Sequence, residues 1–383
     1  MSKESWAGKT RGERVAMRFA SCTEKIEISG IRKCFEGAIP GSVNLGLGQP
    51  DFDTPEHIKK AAIQAIERGQ CGYTANCGVP ELRSAIARKF CSENKIDCTA
   101  EEIMVTSGAS EALFLVIAAL IDRGDEVLIG DPAFLSYVEL TRLVGGRPVG
   151  VPLDDELRLD PEDVSKRITD KTKLLIVNSP SNPTGSVGTA DQMRAIGEIA
   201  EDRGIAVLSD EVYEHFIYRG EHVSPGRFSD NVITVNAVSK TYAMTGWRLG
   251  YLAAKGAALE QLLKIHQYVQ ACASSISQAA ALEAITGPQD CVAAMRDEFR
   301  SRRDLLVKGF QEMGVDLIEP DGAFYLFPRV GDGDAVAEKL GKAGVIVVPG
   351  SAFGPGGMEH IRISYAAARS QLEEALRRMK DIL

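Results

Sequence analysis

From about Ile103 to Ala254 the chain alternates short apolar runs with stretches whose apolar residues recur at helical spacing, the pattern of repeated βα units and a mostly parallel sheet. Ile103 to Thr106, Glu126 to Ile129, Leu174 to Val177, Ile205 to Leu208, Val232 to Val235 and Leu249 to Ala253 are short, apolar and bounded by Gly, Pro, Asp or Ser. Strands buried on both faces read this way. Glu111 to Ile121 and Ala190 to Arg203 predict helices that cover the sheet, and Leu259 to Ile285 reads as one long helix. Gly287-Pro288 breaks the pattern. Beyond it come a helix over about Asp290 to Met313, short strands near Val315 and Phe324, a further helix, strands near Val345 and Ile361, and a last helix. The first fifty residues hold no βα repeat and are expected to pack beside this last part. The division is therefore a large α/β domain over 51–287 and a smaller α+β domain built from 1–50 with 288–383.

A length of 383 residues suits two such units. With 44% hydrophobic and 25% charged residues the chain has the composition of a globular enzyme. Its net charge of -9 opposes a nucleic-acid footprint, which shows as a basic stripe. The longest apolar run, Phe114 to Ile121, falls well short of the roughly 18 to 20 residues needed to span a bilayer. The N-terminus has basic residues but lacks an apolar h-region, and Phe19-Ala20-Ser21-Cys22 is a poor signal sequence. The expected location is cytoplasmic. Eight cysteines without a CxxC pair suit a reducing compartment. Cys71, Cys77, Cys91 and Cys98 crowd one region, but His57 and His215 sit at no ligand spacing, so no metal is expected.

Ligands of open α/β sheets sit at the carboxyl ends of the strands. Three runs end on chemistry there: Asn178 to Gly185, Asp210 to Tyr213, and Ser239-Lys240. Singly, Asp210 reads as a helix cap, Asn182-Pro183-Thr184-Gly185 as a turn and Lys240 as a surface amine. Together they put a carboxylate, a phenol, amides and an amine on one rim. A reactive lysine needs burial or a nearby cation to stay partly neutral, and Arg248 can supply the cation.

Ser239 to Gly250, SKTYAMTGWRLG, resembles the pyridoxal-phosphate lysine motif of class I aminotransferases. The resemblance extends through Gly46 to Pro55, Tyr73-Thr74 with Gly78 to Arg83, Asn178 to Gly185, Asp210 to Tyr213 and His360 to Tyr365. It is nearest to the prokaryotic aspartate and archaeal aromatic branch. It implies fold type I, a homodimer with sites at the subunit interface, and pyridoxal 5'-phosphate carried on Lys240 as a Schiff base. Lys240 would also shuttle the proton between substrate Cα and cofactor. Asp210 would hold the ring nitrogen protonated, and Tyr213 and Asn182 would bond the phenolic oxygen, with Asn178 a weaker candidate that fixes the loop. Gly108, Ala109 and Ser110 match the phosphate cup at a strand-to-helix turn, with Arg248 adding charge. Where the family has a hydroxyl three residues before the lysine this chain has Ala237, which Ser239 could replace. Phe134 aligns with the residue stacked on the ring, and Tyr73 with the tyrosine that reaches the neighbouring subunit's phosphate. Arg362 would bind the substrate α-carboxylate as a bidentate fork, and Gly48 would let the backbone approach that group.

The resemblance implies transfer of an amino group from aspartate or an aromatic amino acid to a 2-oxo acid, 2-oxoglutarate first, by a ping-pong cycle. The alternative is a lyase of the same fold, a carbon-sulfur lyase or a relative of aminocyclopropane-carboxylate synthase. A cofactor-binding transcription regulator would need a DNA-binding domain before the Gly46 to Pro55 motif, which comes too early. A nicotinamide dehydrogenase would need a GxGxxG after its first strand, and none is present.

Overall fold

The computed structural model describes residues 18–26, 30 and 39–383. The basic N-terminal residues weighed as a targeting signal lie mostly outside them. Strand β1 (Val43–Asn44) pairs in parallel with a strand from far down the chain, β10 (Val345–Ile346).

A seven-stranded sheet forms the centre. Its strands are β2 (Ile103–Thr106), β3 (Glu126–Asp131), β4 (Arg147–Pro152), β5 (Thr172–Asn178), β6 (Ala206–Asp210), β7 (Val232–Ala237) and β8 (Gly250–Ala253), in the order β2-β8-β7-β6-β5-β3-β4. All neighbours are parallel except those of β8, which runs antiparallel to both β2 and β7. Every residue of β2, β7 and β8 is buried, as continuous apolar runs require. Strand β4 has no counterpart in the sequence reading. It is the sheet edge, half-exposed, and its Pro148, Gly150 and Pro152 interrupt the apolar signal.

Helices α1 (Ala109–Leu120), α2 (Leu135–Leu143) and α3 (Ala190–Arg203) follow β2, β3 and β5. Thr189 and Gln192 close a capping box at the start of α3, and Gly204 ends it in the left-handed region. The single helix expected over Leu259 to Ile285 is two, α4 (Gly256–Val269) and α5 (Ser275–Thr286). Ala271 adopts φ +63° and the Ser274 hydroxyl caps the second helix at Ser277, so the periodicity continues across a break made by local capping.

After α6 (Asp290–Glu312) a three-stranded antiparallel sheet is ordered β11 (Val348–Pro349), β12 (Ile361–Ser364), β9 (Tyr325–Leu326). The strand expected near Val315 is only an isolated bridge between Asp316 and Arg329. One apolar cluster joins Val43 and Leu45, Tyr213 and Phe216, Phe299, Phe324 and Ile363, so the carboxyl end of the large sheet is packed directly on the small one.

Candidate active site

The parallel register brings Asn178 of β5 beside Asp210 of β6, and Asp210 beside Val235 of β7. The antiparallel β8 then accounts for Arg248. Because β8 runs the other way, its first residue, Gly250, pairs with Thr106 and with Ala237 at the carboxyl rim. Arg248, two residues before it, therefore arrives where β7 hands on to Lys240.

A cavity of about 220 Å³ at this rim is lined by Lys240, Asp210, Tyr213, Asn182, Arg248 and Arg362, along with Gly48, Ala109, Ser110, Phe134 and Ser239. The Lys240 Nζ donates to Gly48 O at 2.7 Å. Burial, then the Arg362 and Arg248 charges, push its amine down to about 8. The expected cation effect of Arg248 is thus present, but burial and Arg362 exceed it. Asp210 moves the other way. Burial raises its carboxyl to about 6 against the hydrogen bond from Tyr137. The Tyr213 hydroxyl shares a 2.8 Å hydrogen bond with that of Tyr325, and burial holds its pKa well above 10.

Arg362 is not the solvated edge residue that an arginine on a strand usually is. It is 1% exposed, with its guanidinium between the rings of Tyr325 and Phe353 at 4.6 and 4.9 Å. Its Nη1 donates to Asn182 Oδ1 at 2.9 Å and its Nη2 to Gly46 O at 2.5 Å. Asn178 fixes the loop as expected. It accepts from Asn182 N at 2.8 Å and donates to Asp210 O at 3.0 Å.

At the α1 N-terminus Gly108 has φ +79°, and a Cβ there would lie 2.5 Å from the Arg248 guanidinium. The positive φ favours glycine, and the turn sets the start of α1 close to the Arg248 guanidinium. A Cβ at Gly48 would meet the Tyr325 hydroxyl, so the crowding neighbour there belongs to the chain itself. Ala237 lines the cavity and brings no hydroxyl, whereas Ser239 and Thr245 do line it.

Tyr73 is not gathered in. It is 93% exposed and borders an adjoining groove of about 1230 Å³ with Trp247, Arg248 and Ser274. Tyr137 and Tyr325 are cavity residues that the sequence reading missed. Tyr137 could have been found by helical spacing from Phe134. Tyr325 carries no such signal.

Behind the cavity, Glu211 and Glu214 alternate with Asp210 and Tyr213 and face away from it. Glu214 bonds to Lys89, Asn94 and Asn236, and Glu211 to Asn94, Ser209, Ser224 and His222. Ligand-type atoms of Glu211, Glu214 and His222 lie within 4.8 Å of one another, as do those of Glu93, Glu214 and His215. Lys89 and a His222 whose pKa is raised by these carboxylates, against its burial, already meet the acidic charge. The cysteines among the described residues are free thiols.

The chain matches the family described as aminotransferase class I and II over residues 40–379. It is 47% identical to a probable aspartate aminotransferase of Methanocaldococcus jannaschii, over 95% of this chain and 99% of that one. It is 41% identical to aromatic-amino-acid aminotransferase 2 of Thermococcus litoralis, over 96% and 98%. Among solved structures, the aspartate aminotransferase of Thermus thermophilus with maleate superposes with a TM-score of 0.92 at 39% identity, over 96% and 100% of the two chains.

Proposed function

Since this chain belongs to the class I and II aminotransferases and is a pyridoxal-phosphate-dependent enzyme of fold type I, we propose that it moves the amino group of aspartate or an aromatic L-amino acid to 2-oxoglutarate. The lyase alternative has no support among relatives that are themselves named aminotransferases. The observation that carries the reading is the pair of opposed shifts in one cavity. A lysine amine brought down to about 8 and a carboxyl brought up to about 6 share it with a fully buried arginine.

The residues fit the cofactor. The helix N-terminus after the Gly108 turn and the Arg248 guanidinium suit a phosphate by charge, and the buried Asp210 suits a cationic ring nitrogen. When bound, pyridoxal phosphate supplies an electron-accepting ring that takes up the electron pair left as substrate Cα loses its proton. The rest is done by the chain. Gly108, Ala109 and Ser110 at the α1 N-terminus would hold the phosphate with Arg248 and Ser239. Asp210 would keep the ring nitrogen protonated, Tyr213 and Asn182 would hold the phenolic oxygen, and Phe134 would cover the ring. Arg362 grips the α-carboxylate through its fork, with Gly48 beside it, which turns Cα–H toward Lys240. The Lys240 amine, partly neutral at pH 7, takes that proton.

The division into 51–287 and 1–50 with 288–383 is supported by the separate large and small sheets and by the β1 pairing. A homodimer is supported by Tyr73 and Tyr268, 93% and 87% exposed, and by the groove that Tyr73 shares with Arg248. In such a dimer Tyr73 serves the neighbouring subunit's phosphate. No described helix is long and apolar enough to cross a membrane, and a cytoplasmic location suits the free thiols. Aspartate as donor is supported by the similar Thermus thermophilus structure, whose maleate is a four-carbon dicarboxylate.

The test is borohydride reduction of the yellow protein followed by peptide mapping, with a panel of amino donors against 2-oxoglutarate ranked by kcat/KM. The label is expected on Lys240. Lys240→Ala is expected to lose about 10⁴-fold or more in the half-reaction with amino acid. Label on another peptide, or transamination surviving in Lys240→Ala, rejects the assignment. Release of pyruvate and ammonia would restore the lyase.

A further inference from the structure

Tyr137 lies on α2, three residues after Phe134 and so on the same face of the chain as it enters the helix. Its side chain is 1% exposed. Its hydroxyl donates to Asp210 Oδ2 at 2.7 Å. Its ring meets that of Phe134 edge to face, with centroids 5.6 Å apart and planes at 81°. The backbone behind it is tied down, because Tyr137 O accepts from Thr141 Oγ1 at 2.7 Å.

Asp210 depends on this contact. Among the described residues its other oxygen accepts a long 3.4 Å bond from Val212 N and no other. Of its charged neighbours, Glu211 favours the protonated acid and Lys240 the carboxylate. A buried carboxyl without a donor drifts to its neutral form, and a hydroxyl pointed at it favours the ion. Tyr137 cannot act as the acid in place of Asp210, since burial and the Asp210 charge hold its own proton well above the ordinary tyrosine range.

We propose that Tyr137 is a positioning residue for amino-group transfer, a single side chain that orients both Asp210 and Phe134 toward the cofactor. The proposal rests on the reading above, in which Asp210 partners the ring nitrogen and Phe134 covers the ring. It acts through those two residues and not on substrate.

The experiment compares Tyr137→Phe with Tyr242→Phe in the holoenzyme and in the apoprotein titrated with pyridoxal phosphate. Tyr242 is also a buried phenol, 6% exposed, but its hydroxyl bonds to Gln289 at 2.9 Å, outside the cavity. Losing a hydrogen bond to a buried carboxylate predicts a roughly 10- to 100-fold fall in single-turnover kcat/KM and a cofactor Kd raised about 10-fold in Tyr137→Phe, with Tyr242→Phe unchanged. The acidic limb of the pH profile moves to higher pH, because the carboxyl has lost a donor that favoured its ion. In an Asp210→Asn background, Tyr137→Phe should add less than about a further 2-fold. Melting temperatures of the two phenylalanine variants separate a general loss of packing from the specific effect. Cofactor affinity and pH profile unmoved in Tyr137→Phe, or equal effects in Tyr242→Phe, overturn the positioning role and leave the aminotransferase reading standing. Wild-type apoprotein that takes up no pyridoxal phosphate overturns both.

Discussion

Asp210 and Glu214 lie four residues apart and are almost equally buried, at 4% and 7% exposure. Their carboxyls nevertheless move in opposite directions, to about 6 and about 2. Burial raises both. For Glu214 it is overcome by Lys89, His215 and His222, whereas Asp210 faces a cavity where a phenol, one long backbone N–H bond and the Lys240 charge oppose it without overcoming it. One side of this segment is a neutralised ion network and the other an under-neutralised site. The first is built for stability and the second for a ligand that brings the missing charge.

Removing the cation from the network should give the largest effect. Lys89→Met leaves Glu214 buried without its ion partner and is expected to destabilise the protein by about 3 to 5 kcal/mol in urea unfolding at pH 7. Cofactor affinity of the fraction that stays folded should change little. A loss under about 1 kcal/mol would mean that the network is not the neutralised side at all.

Next, the two carboxylates should respond with opposite signs in the apoprotein. A carboxyl whose folded pKa is raised contributes stability at low pH that is lost as pH rises from the unfolded value through about 6, so ionised Asp210 costs stability at pH 7. Asp210→Asn should therefore stabilise the apoprotein by about 1 to 3 kcal/mol while weakening cofactor binding. Glu214, lowered to about 2, contributes stability above its unfolded value that is lost as pH falls toward 2, so Glu214→Gln should destabilise at pH 7. Shifts of the same sign in the two variants would erase the distinction.

Within the site, Arg362→Lys keeps the charge but not the fork. It should raise the KM for amino donors, with kcat/KM down by roughly 10- to 100-fold and a much smaller change in melting temperature. Unchanged kinetics would mean that Arg362 is structural. The smallest effect expected is a slope. The carboxylates raise the His222 pKa against its burial, so its contribution is full below the unfolded value and fades as pH rises through the folded one. Wild-type apoprotein should lose stability above about pH 6.5 by more than His222→Gln does.

The sequence by itself determined the βα alternation, the strands that form the large sheet's centre, and the rim residues Asn182, Asp210, Tyr213, Lys240 and Arg248, because these sit in local motifs at strand ends. It also placed Arg362, through a motif alone. Tertiary structure decided what local pattern cannot encode. An apolar run has no direction, so the reversal of β8 that carries Arg248 to the rim was invisible. Helical periodicity survives a capped break, so α4 and α5 read as one helix. Lys89 and Glu214 are 125 residues apart, and nothing short of the fold makes one the counter-ion of the other. Tyr137 and Asp210 are separated by 73 residues. Which of two neighbouring carboxylates is neutralised and which is left for a ligand depends on the charges that distant segments bring to each side of one strand end, and only the folded chain puts them there.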